Sequence, residues 1–299
     1  MMAPAIPPGF VDRVLRDEPM SRHTTWRVGG PADAWFSPRD VEELSAFLRS
    51  LPATVPVTWV GLGSNLLVRD GGIRGVVISV HGVLNALDRV GEDRVRAEAG
   101  VACARLGRQC AKWKLGPADF FAGIPGTVGG ALAMNAGAWG GETWPRVVEV
   151  ETIDRSGARH RRPASAYRYG YRSVTPPVAG EWFLAATFGF EQRPDASTDS
   201  IKRLLEERHA KQPIGEPSCG SVFTNPRGGH AADLIERAGL KGHRIGGAQV
   251  SEKHANFILN TGAARAADIE TLISHVQATV ERVHGVRLVP EVRIVGEAA

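Results

Sequence analysis

The chain has 299 residues, of which 43% are hydrophobic and 23% are charged, a composition typical of a globular protein with room for two or three domains. These proportions exclude global disorder. Its 36 basic and 32 acidic residues leave a net charge of +4, which is too small and too dispersed for a nucleic-acid-binding stripe but suits small anionic ligands. The opening MMAPAIPPGF lacks the regions of a signal peptide, so we expect a cytoplasmic protein with a loose extension over residues 1–19.

The elements of the first half follow from capping and periodicity. Ser37-Pro38-Arg39-Asp40 predicts a helix start with Ser37 as the cap and Pro38 at the first helical position, ahead of apolar residues at helical spacing. VTWV (57–60) and VVISV (76–80) are predicted strands on either side of the loop GLGSNLLVRDGG. RVRAEAG (94–100) is followed by a helical pattern through Leu106 and Cys110. A strand, a glycine loop and a second strand are therefore consecutive.

The second half divides at a polar segment, EQRPDASTDS (191–200), where hydrophobic periodicity stops. Strands are predicted before it at 147–153 and 182–190, and RHRR (159–162) is most simply a solvated hairpin arm. A helix begins near Ile201. Further helices near 230–239 and 266–284 and strands at 257–260 and 291–295 complete a separate C-terminal domain, 198–299.

The three cysteines, Cys103, Cys110 and Cys219, lack the spacings of metal sites and disulfide frameworks. We therefore expect no metal. Cys103 and Cys110 are seven residues apart, as on one buried helix face. Cys219 has no histidine near it in sequence and is interpreted as a packing residue.

The stretch FFAGIPGTVGGALAMNAGAWGG (120–141) contains no charged residue, as a membrane span would. Its seven glycines and Pro125 argue against a span, because glycine costs roughly 1 kcal/mol and proline about 3 kcal/mol inside a helix. A glycine-dense loop instead leaves backbone N–H groups uncovered, as binding of a pyrophosphate requires. We expect such a loop here and no membrane association.

The two glycine loops do not match the common nucleotide motifs. GLGSNL has Leu66 where a dinucleotide fingerprint has its third glycine, and no glycine run is followed by the GK[ST] of a P-loop. The loops could be tight turns only. With Ser64, Asn65, Thr127 and Asn135 beside them, they could also hold a phosphate.

An ordered series of motifs resembles the UDP-N-acetylenolpyruvoylglucosamine reductase family over residues 20–296. The series is HTTWRVGGPADAWFSP, WVGLGSNLLVRDGGIRGVVI, FFAGIPGTVGGALAMNAGAWGG, YRYGYRSV, KQP, CGSVFTNP, SEKHANFILN and VPEVRIVG. SEKHANFILN resembles the shorter subtype, which lacks a tyrosine-bearing loop over the substrate.

The resemblance implies an α+β fold with an FAD-binding domain of the vanillyl-alcohol-oxidase/PCMH type over 20–192, in two subdomains of about 20–80 and 81–192, and a compact substrate-binding domain over 198–299. It implies non-covalent FAD, NADPH as co-substrate, UDP-N-acetylglucosamine enolpyruvate as substrate, and a monomer. The implied cofactor-binding residues lie in or beside the two loops: Gly61, Gly63, Ser64, Asn65, Leu66, Ile124, Pro125, Gly126, Thr127, Val128, Gly129, Gly130, Ala131, Asn135 and Gly137.

The resemblance also implies three catalytic residues. Arg172 would bind the substrate carboxylate through a bidentate contact, with Arg168 as the alternative match. Ser221 would donate a proton to C2 of the enolpyruvyl group, and Glu291 would lie with Arg172 at the carboxylate and reprotonate the serine. Lys211, Asn225, Gln249 and His254 are the secondary candidates for substrate or nicotinamide contacts.

Each residue also has a structural interpretation: a loop cation for Arg172, an ion-pair partner for Glu291, a turn residue for Ser221 and a packed histidine for His254. Two other functions stay open. Another FAD-dependent oxidase could use the same flavin domain, or a catalytically silent protein could bind a UDP-sugar.

Overall fold

A computed structural model describes residues 4–299. The chain forms two compact units that are each built from separated segments. The first unit contains the chain up to Leu15 together with Ala34–Leu62 and Gly75–Glu206, and the second contains Arg16–Asp33, Gly63–Arg74 and Glu207–Ala299. Two short N-terminal segments therefore join the predicted C-terminal domain, which the sequence alone does not indicate.

The α-helices are α1 (Val41–Ser50), α2 (Cys103–Lys112), α3 (Val128–Met134), α4 (Thr198–Lys211), α5 (Ala231–Arg237) and α6 (Ala266–His284). The strands are β1 (Val14–Pro19), β2 (Pro31–Phe36), β3 (Val57–Val60), β4 (Leu66–Val68), β5 (Ile73–Ser79), β6 (Leu87–Val90), β7 (Arg94–Glu98), β8 (Leu115–Gly116), β9 (Gly137–Ala138), β10 (Gly141–Glu142), β11 (Val147–Asp154), β12 (Arg159–Pro163), β13 (Arg168–Gly170), β14 (Ser173–Thr175), β15 (Glu181–Gly189), β16 (Glu191–Gln192), β17 (Arg244–Ile245), β18 (Ala248–Val250), β19 (Ile258–Asn260) and β20 (Arg293–Val295). Short 3₁₀ helices occur at Pro8–Arg13, Met20–Arg22, Asp119–Gly123, Trp144–Arg146 and Ala164–Ala166.

A four-stranded sheet has the order β1-β2-β5-β3, with β3 and β5 parallel. The aromatic rings of Phe36 and Phe47 stack at 4.0 Å in the core beside it, and Phe10 packs edge-on against Phe47 at 5.1 Å. This contact is the physical reason that residues 8–19, predicted as part of a loose extension, form a 3₁₀ helix and β1 instead. Residues 1–3 of that extension lie outside the described residues.

Helix α1 is present as predicted but begins at Val41, with Asp40 as its N-cap. The Asp40 carboxylate accepts a hydrogen bond from the Glu43 N–H at 2.7 Å, in place of the cap predicted at Ser37. Glu43 in turn accepts hydrogen bonds from the Arg39 N–H at 2.6 Å and from the Arg13 guanidinium at 3.1 Å. The start of the helix is therefore fixed by a tertiary ion pair as well as by its own cap.

A five-stranded antiparallel sheet, β12-β11-β15-β7-β6, forms the larger part of the first unit. The predicted RHRR arm is β12, which pairs with β11. Helices α2 and α3 pack on the core of this sheet through Leu106, Cys110, Val128 and Leu132. This packing fixes the glycine loop that precedes α3.

The core of the second unit is formed by α5, α6 and the small sheet β17-β18-β19. Trp26, which is 0% exposed, lies in this core and donates its Nε1–H to the Ile258 carbonyl at 2.7 Å. Strand β4 pairs in parallel with β20. These two contacts explain why segments from the N-terminal half belong to the second unit.

Within residues 4–299, no helix is long and apolar enough to span a membrane, and no cluster of histidine, cysteine and acidic side chains could hold a metal ion. The three cysteines are buried thiols. Burial raises the pKa of Cys103 and of Cys110 to about 12, so both thiols are protonated and unreactive.

The ion pair at the start of α1 predicts a defined acid sensitivity. Burial alone would raise the pKa of Glu43, but hydrogen bonds from Arg13 and Arg39 outweigh it and lower the pKa to about 2. The stabilisation is therefore complete above the ordinary pKa of about 4.5 and is lost as the pH falls toward 2. Glu43→Gln should lower the free energy of unfolding at pH 7 by about 1 kcal/mol, because Arg13 is partly solvent-exposed and screened.

The difference in melting temperature between wild type and Glu43→Gln should shrink as the pH falls from about 4.5 to 2. Glu42→Gln is the matched control, since the Glu42 side chain is 70% exposed and pairs with an exposed Arg159. A difference that stays constant over this pH range would contradict the assignment.

Candidate active site

The loop before α3 is held by its own backbone. The N–H groups of Gly126, Val128, Gly129 and Gly130 donate to Ile124 O, Val101 O, Ala99 O and Thr127 Oγ1, respectively, at 2.8–3.3 Å. The expected row of uncovered N–H groups is therefore paired within the protein at these four positions. Glycine is needed here first for close packing: a Cβ at Gly129 would lie 3.0 Å from the Ala99 Cβ, and one at Gly61 would lie 2.6 Å from Thr127 Oγ1.

The second unit contains a loop of a different kind, the cradle formed by Gly63 and Ser64. Among residues 4–299, the backbone N–H groups of Gly63 and Ser64 have no protein acceptor. Gly63 has a φ of 65°, and a Cβ there would lie 1.9 Å from the His23 carbonyl oxygen. Only glycine fits this position, because both the conformation and the space exclude a side chain.

Thr25 lies against this cradle, since its N–H donates to the Gly63 carbonyl at 3.3 Å. Its Oγ1 is buried and has no hydrogen-bond partner among the described residues. A buried hydroxyl without a partner is costly, and such a group beside unpaired N–H donors fits a bound anion. Thr25 lies in the motif HTTWRVGG, but no sequence signal distinguishes it, because an unpaired atom is visible only in the structure.

Ser221 and Glu291 lie on adjacent extended segments of the second unit. The Glu291 N–H donates to the Val222 carbonyl at 2.7 Å, and a bridge between Phe223 and Pro290 continues the pairing. The hydroxyl of Ser221, which is partly buried, makes no hydrogen bond to another described residue. The structure therefore brings together two of the three predicted catalytic residues.

Asn65 connects the cradle to the segment that contains Glu291. Its Nδ2 donates to the Glu291 carbonyl at 3.0 Å, and its own carbonyl accepts from the Arg293 N–H at 3.1 Å. Leu66 follows directly and pairs with Arg293 where β4 meets β20. The backbone of Glu291 is thus fixed by the loop that carries Gly63 and Ser64.

Cys219 is buried beside this pair, as predicted for a packing residue. Burial and, to a smaller extent, the Glu291 charge raise its pKa well above the usual value, so the thiol stays protonated. A protonated thiol is not a nucleophile.

Arg172 lies in the two-residue turn between β13 and β14, in the first unit. Its φ is 52°, a left-handed conformation that is uncommon for a non-glycine residue. Its guanidinium donates Nη1–H to the Asn135 carbonyl at 3.3 Å and Nη2–H to the Gly137 carbonyl at 3.0 Å. The alternative match, Arg168, is exposed on β13. Asn135 and Gly137 follow α3, so Arg172 is attached to the helix that begins at the glycine loop.

The four secondary candidates are all in the second unit. Lys211 is exposed at the end of α4, and the Asn225 side chain accepts from the Ala231 N–H at 3.1 Å at the start of α5. Both ends of the Gln249 amide are hydrogen-bonded. Its Oε1 accepts from the Arg244 guanidinium at 2.9 Å, and its Nε2 donates to the Gly242 carbonyl at 3.4 Å.

His254 is half-buried, and its ring makes contacts within the protein. Its Nδ1 accepts a hydrogen bond from the Asn256 N–H at 3.3 Å, and its ring packs edge-on against Phe257 at 4.9 Å. Burial lowers its pKa, so the ring is neutral with its proton on Nε2. The geometry of His254 agrees with the packed-histidine interpretation.

Comparisons with known proteins cover nearly the whole chain. A family model described as an FAD binding domain matches residues 32–161, and one described as UDP-N-acetylenolpyruvoylglucosamine reductase, C-terminal domain, matches residues 212–295. The UDP-N-acetylenolpyruvoylglucosamine reductase of Alkalilimnicola ehrlichii is 61% identical over 94% of each chain, and that of Methylococcus capsulatus is 54% identical over 95% of this chain and 93% of its own.

A crystal structure of the UDP-N-acetylenolpyruvylglucosamine reductase of Thermus caldophilus has a TM-score of 0.78 and 32% identity, and it covers 94% of this chain and 97% of its own. These similarities confirm the predicted α+β fold with an FAD-binding domain, and with it the predicted cofactor. The chain belongs to the UDP-N-acetylenolpyruvoylglucosamine reductase family.

Proposed function

We propose that the chain reduces UDP-N-acetylglucosamine enolpyruvate to UDP-N-acetylmuramate with NADPH, through bound FAD, with Arg172, Ser221 and Glu291 as its catalytic residues. Membership of the family makes it an FAD-dependent oxidoreductase of peptidoglycan precursor synthesis. The observation that carries the residue assignment is the pairing of Glu291 with Val222, which fixes an acid and a hydroxyl on adjacent segments.

FAD, when bound, supplies a two-electron carrier between NADPH and the substrate. The residues present fit it: Gly63 and Ser64 offer unpaired N–H groups, and Thr25 offers a buried hydroxyl. We propose these three as ligands of the pyrophosphate. Apart from Asn135, the other predicted cofactor-binding residues stay proposed as the surroundings of the cofactor: Gly61, Asn65, Leu66, Ile124, Pro125, Gly126, Thr127, Val128, Gly129, Gly130, Ala131 and Gly137.

Arg172 binds the substrate carboxylate. Reduction at C3 of the enolpyruvyl group builds negative charge at C2 and on its carboxylate, and a guanidinium stabilises that charge through two parallel hydrogen bonds. Two nitrogens of the Arg172 guanidinium already donate to backbone carbonyls, at 3.0 Å and 3.3 Å. These hydrogen bonds limit the orientations of the guanidinium. A fixed donor costs little reorganisation when the charge develops.

Ser221 donates the proton to C2, and Glu291 returns a proton to the serine. A serine hydroxyl is a weak acid, but a carbanion next to a carboxylate is basic enough to take its proton. The hydroxyl of Ser221 has no competing partner among the described residues, so its proton is available. Lys211, Asn225, Gln249 and His254 stay proposed substrate or nicotinamide contacts.

We further propose that the protein acts as a cytoplasmic monomer that binds neither nucleic acid nor membranes. Three buried, free cysteines suit a reducing compartment. Sedimentation or size-exclusion measurements address the monomer directly.

Two other functions predict different experimental results. An oxidase of the same fold would consume oxygen with a hydroxy-acid or sugar substrate and would not need NADPH. A silent UDP-sugar-binding protein would bind the nucleotide sugar but keep its flavin absorbance when NADPH is added.

The cradle assignment predicts opposite effects of two neighbouring threonines. Thr25→Val should weaken FAD binding about tenfold, because a hydrogen bond to a charged group is lost, while the melting temperature of the cofactor-free protein should stay equal or rise. Thr25→Ser should bind FAD nearly as wild type does. Flavin fluorescence titration and thermal melts of the cofactor-free protein measure both quantities.

Thr24→Val is the matched control. The Thr24 hydroxyl donates to the Val28 carbonyl at 2.9 Å and is buried, so its loss should destabilise the cofactor-free protein without a selective effect on FAD affinity. Equal FAD affinity of Thr25→Val and wild type would remove Thr25 from the cradle.

The carboxylate assignment predicts a selective kinetic defect. In the wild-type protein, NADPH should bleach the flavin absorbance, and the enolpyruvyl substrate should restore it without oxygen. Arg172→Lys should slow restoration roughly 10- to 100-fold and leave bleaching nearly unchanged, since a point charge cannot reproduce a two-pronged contact. Rapid-mixing absorbance measures the two half-reactions separately.

Arg168→Lys is the control, because Arg168 lies on the same hairpin and is exposed. Equal losses in both half-reactions of Arg172→Lys would place Arg172 elsewhere. A selective defect in Arg168→Lys alone would assign the contact to Arg168. Failure of substrate to restore the wild-type absorbance would contradict the proposed function itself.

A further inference from the structure

Asn135 is a buried polar residue at the end of α3. It is 0% exposed and ends α3 in a left-handed conformation, with φ 50° and ψ 53°. Asparagine tolerates this conformation at a helix end. Burying its amide is costly, however, unless every polar atom has a partner. The arrangement of those partners indicates what the residue does.

The Asn135 side chain is fully paired within the first unit. Its Oδ1 accepts from the Trp144 N–H at 2.9 Å, and its Nδ2 donates to the Gly170 carbonyl at 2.9 Å and to the Glu142 carboxylate at 3.0 Å. An amide nitrogen has two hydrogens, and both are used here. The side chain predicted as a cofactor ligand thus has no N–H left to give a cofactor.

One of these side-chain contacts and one main-chain contact of Asn135 lead to Arg172. Gly170 is the last residue of β13 and immediately precedes the turn that contains Arg172. The Asn135 carbonyl itself accepts from Arg172 Nη1 at 3.3 Å. Asn135 therefore fixes the backbone of the turn through its side chain and the guanidinium through its main chain. The left-handed φ of 52° at Arg172 makes this support necessary, because such a conformation persists only when its surroundings determine it.

We propose that Asn135 is a positioning residue that sets the orientation of the Arg172 guanidinium, and that it acts on the substrate half-reaction through Arg172. This inference rests on the proposed function of Arg172. An aspartate at this position could not serve, since its carboxylate would face both the Gly170 carbonyl and Glu142 without a hydrogen to donate.

Two variants separate the parts of this role. Asn135→Gly accepts the left-handed conformation but removes all three side-chain contacts. Asn135→Asp keeps the shape and the acceptor for the Trp144 N–H but removes both donors. Each should retain FAD and bleach with NADPH within about twofold of wild type, and each should restore flavin absorbance with substrate at least about tenfold more slowly. If one variant fails to fold, the other still tests the proposal.

A double variant distinguishes positioning from general loosening. In the Arg172→Lys background, Asn135→Gly should cause little further slowing of the substrate half-reaction, because residues that act as one unit are not additive. Multiplied defects would overturn the proposal.

Thr143→Val is the matched structural control. Thr143 is 0% exposed and donates its hydroxyl to the Ala136 carbonyl at 2.7 Å, beside Asn135, without a hydrogen bond to Arg172. It should lower the melting temperature and leave both half-reactions intact. The same selective defect in Thr143→Val, or normal restoration in both Asn135 variants, would overturn the proposal. If Arg172→Lys shows no selective defect, the proposed role of Arg172 fails instead.

Discussion

The pairing of the segment after Cys219 with the segment before β20 is the contact on which the proposed chemistry depends. A hydrogen bond of 2.7 Å from the Glu291 N–H to the Val222 carbonyl fixes the backbone beside Ser221. Asn65 adds a hydrogen bond of 3.0 Å to the Glu291 carbonyl, although it lies 226 residues away in the sequence. A weak acid such as serine is useful only when it is held in place, because proton transfer depends on distance.

The glycine loops serve two different physical purposes. Before α3, glycines allow the loop to pack against residues 99–101, and its N–H groups are paired there. At Gly63, the glycine allows a left-handed backbone against the His23 carbonyl and leaves N–H groups unpaired. Glycine-rich sequence thus corresponds to packing in one loop and to unpaired backbone N–H groups in the other.

Most secondary structure could be predicted, because it follows from local periodicity. Helices α1, α2, α4, α5 and α6 and strands β3, β5, β7, β11 and β15 lie close to where the pattern places them, whereas β1 was not predicted. The cap of α1 predicted at Ser37 is wrong: Asp40 caps the helix, and Glu43 in its first turn pairs with Arg13, which lies 30 residues away in the sequence. The membership of Trp26 in the second unit depends on a contact 232 residues away in sequence, which no local pattern contains.

The same distinction holds for the site. Sequence motifs indicated Arg172, Ser221 and Glu291. The unpaired hydroxyl of Thr25 and the fully paired amide of Asn135 are visible only in the structure. Sequence shows that an asparagine is present, not which of its atoms are already used. The family resemblance therefore predicts which segments form the site, whereas the proposed division between ligands and positioning residues depends on hydrogen bonds that only the structure contains.

The central claim is that Ser221, held beside Glu291, donates the proton to C2, and single-turnover kinetics of Ser221→Ala test it most directly. A positioned general acid contributes at least about a hundredfold, or roughly 3 kcal/mol of barrier. The variant should bind FAD and be bleached by NADPH normally, and substrate should restore its absorbance at least about a hundredfold more slowly than in wild type. Restoration at wild-type speed would contradict it.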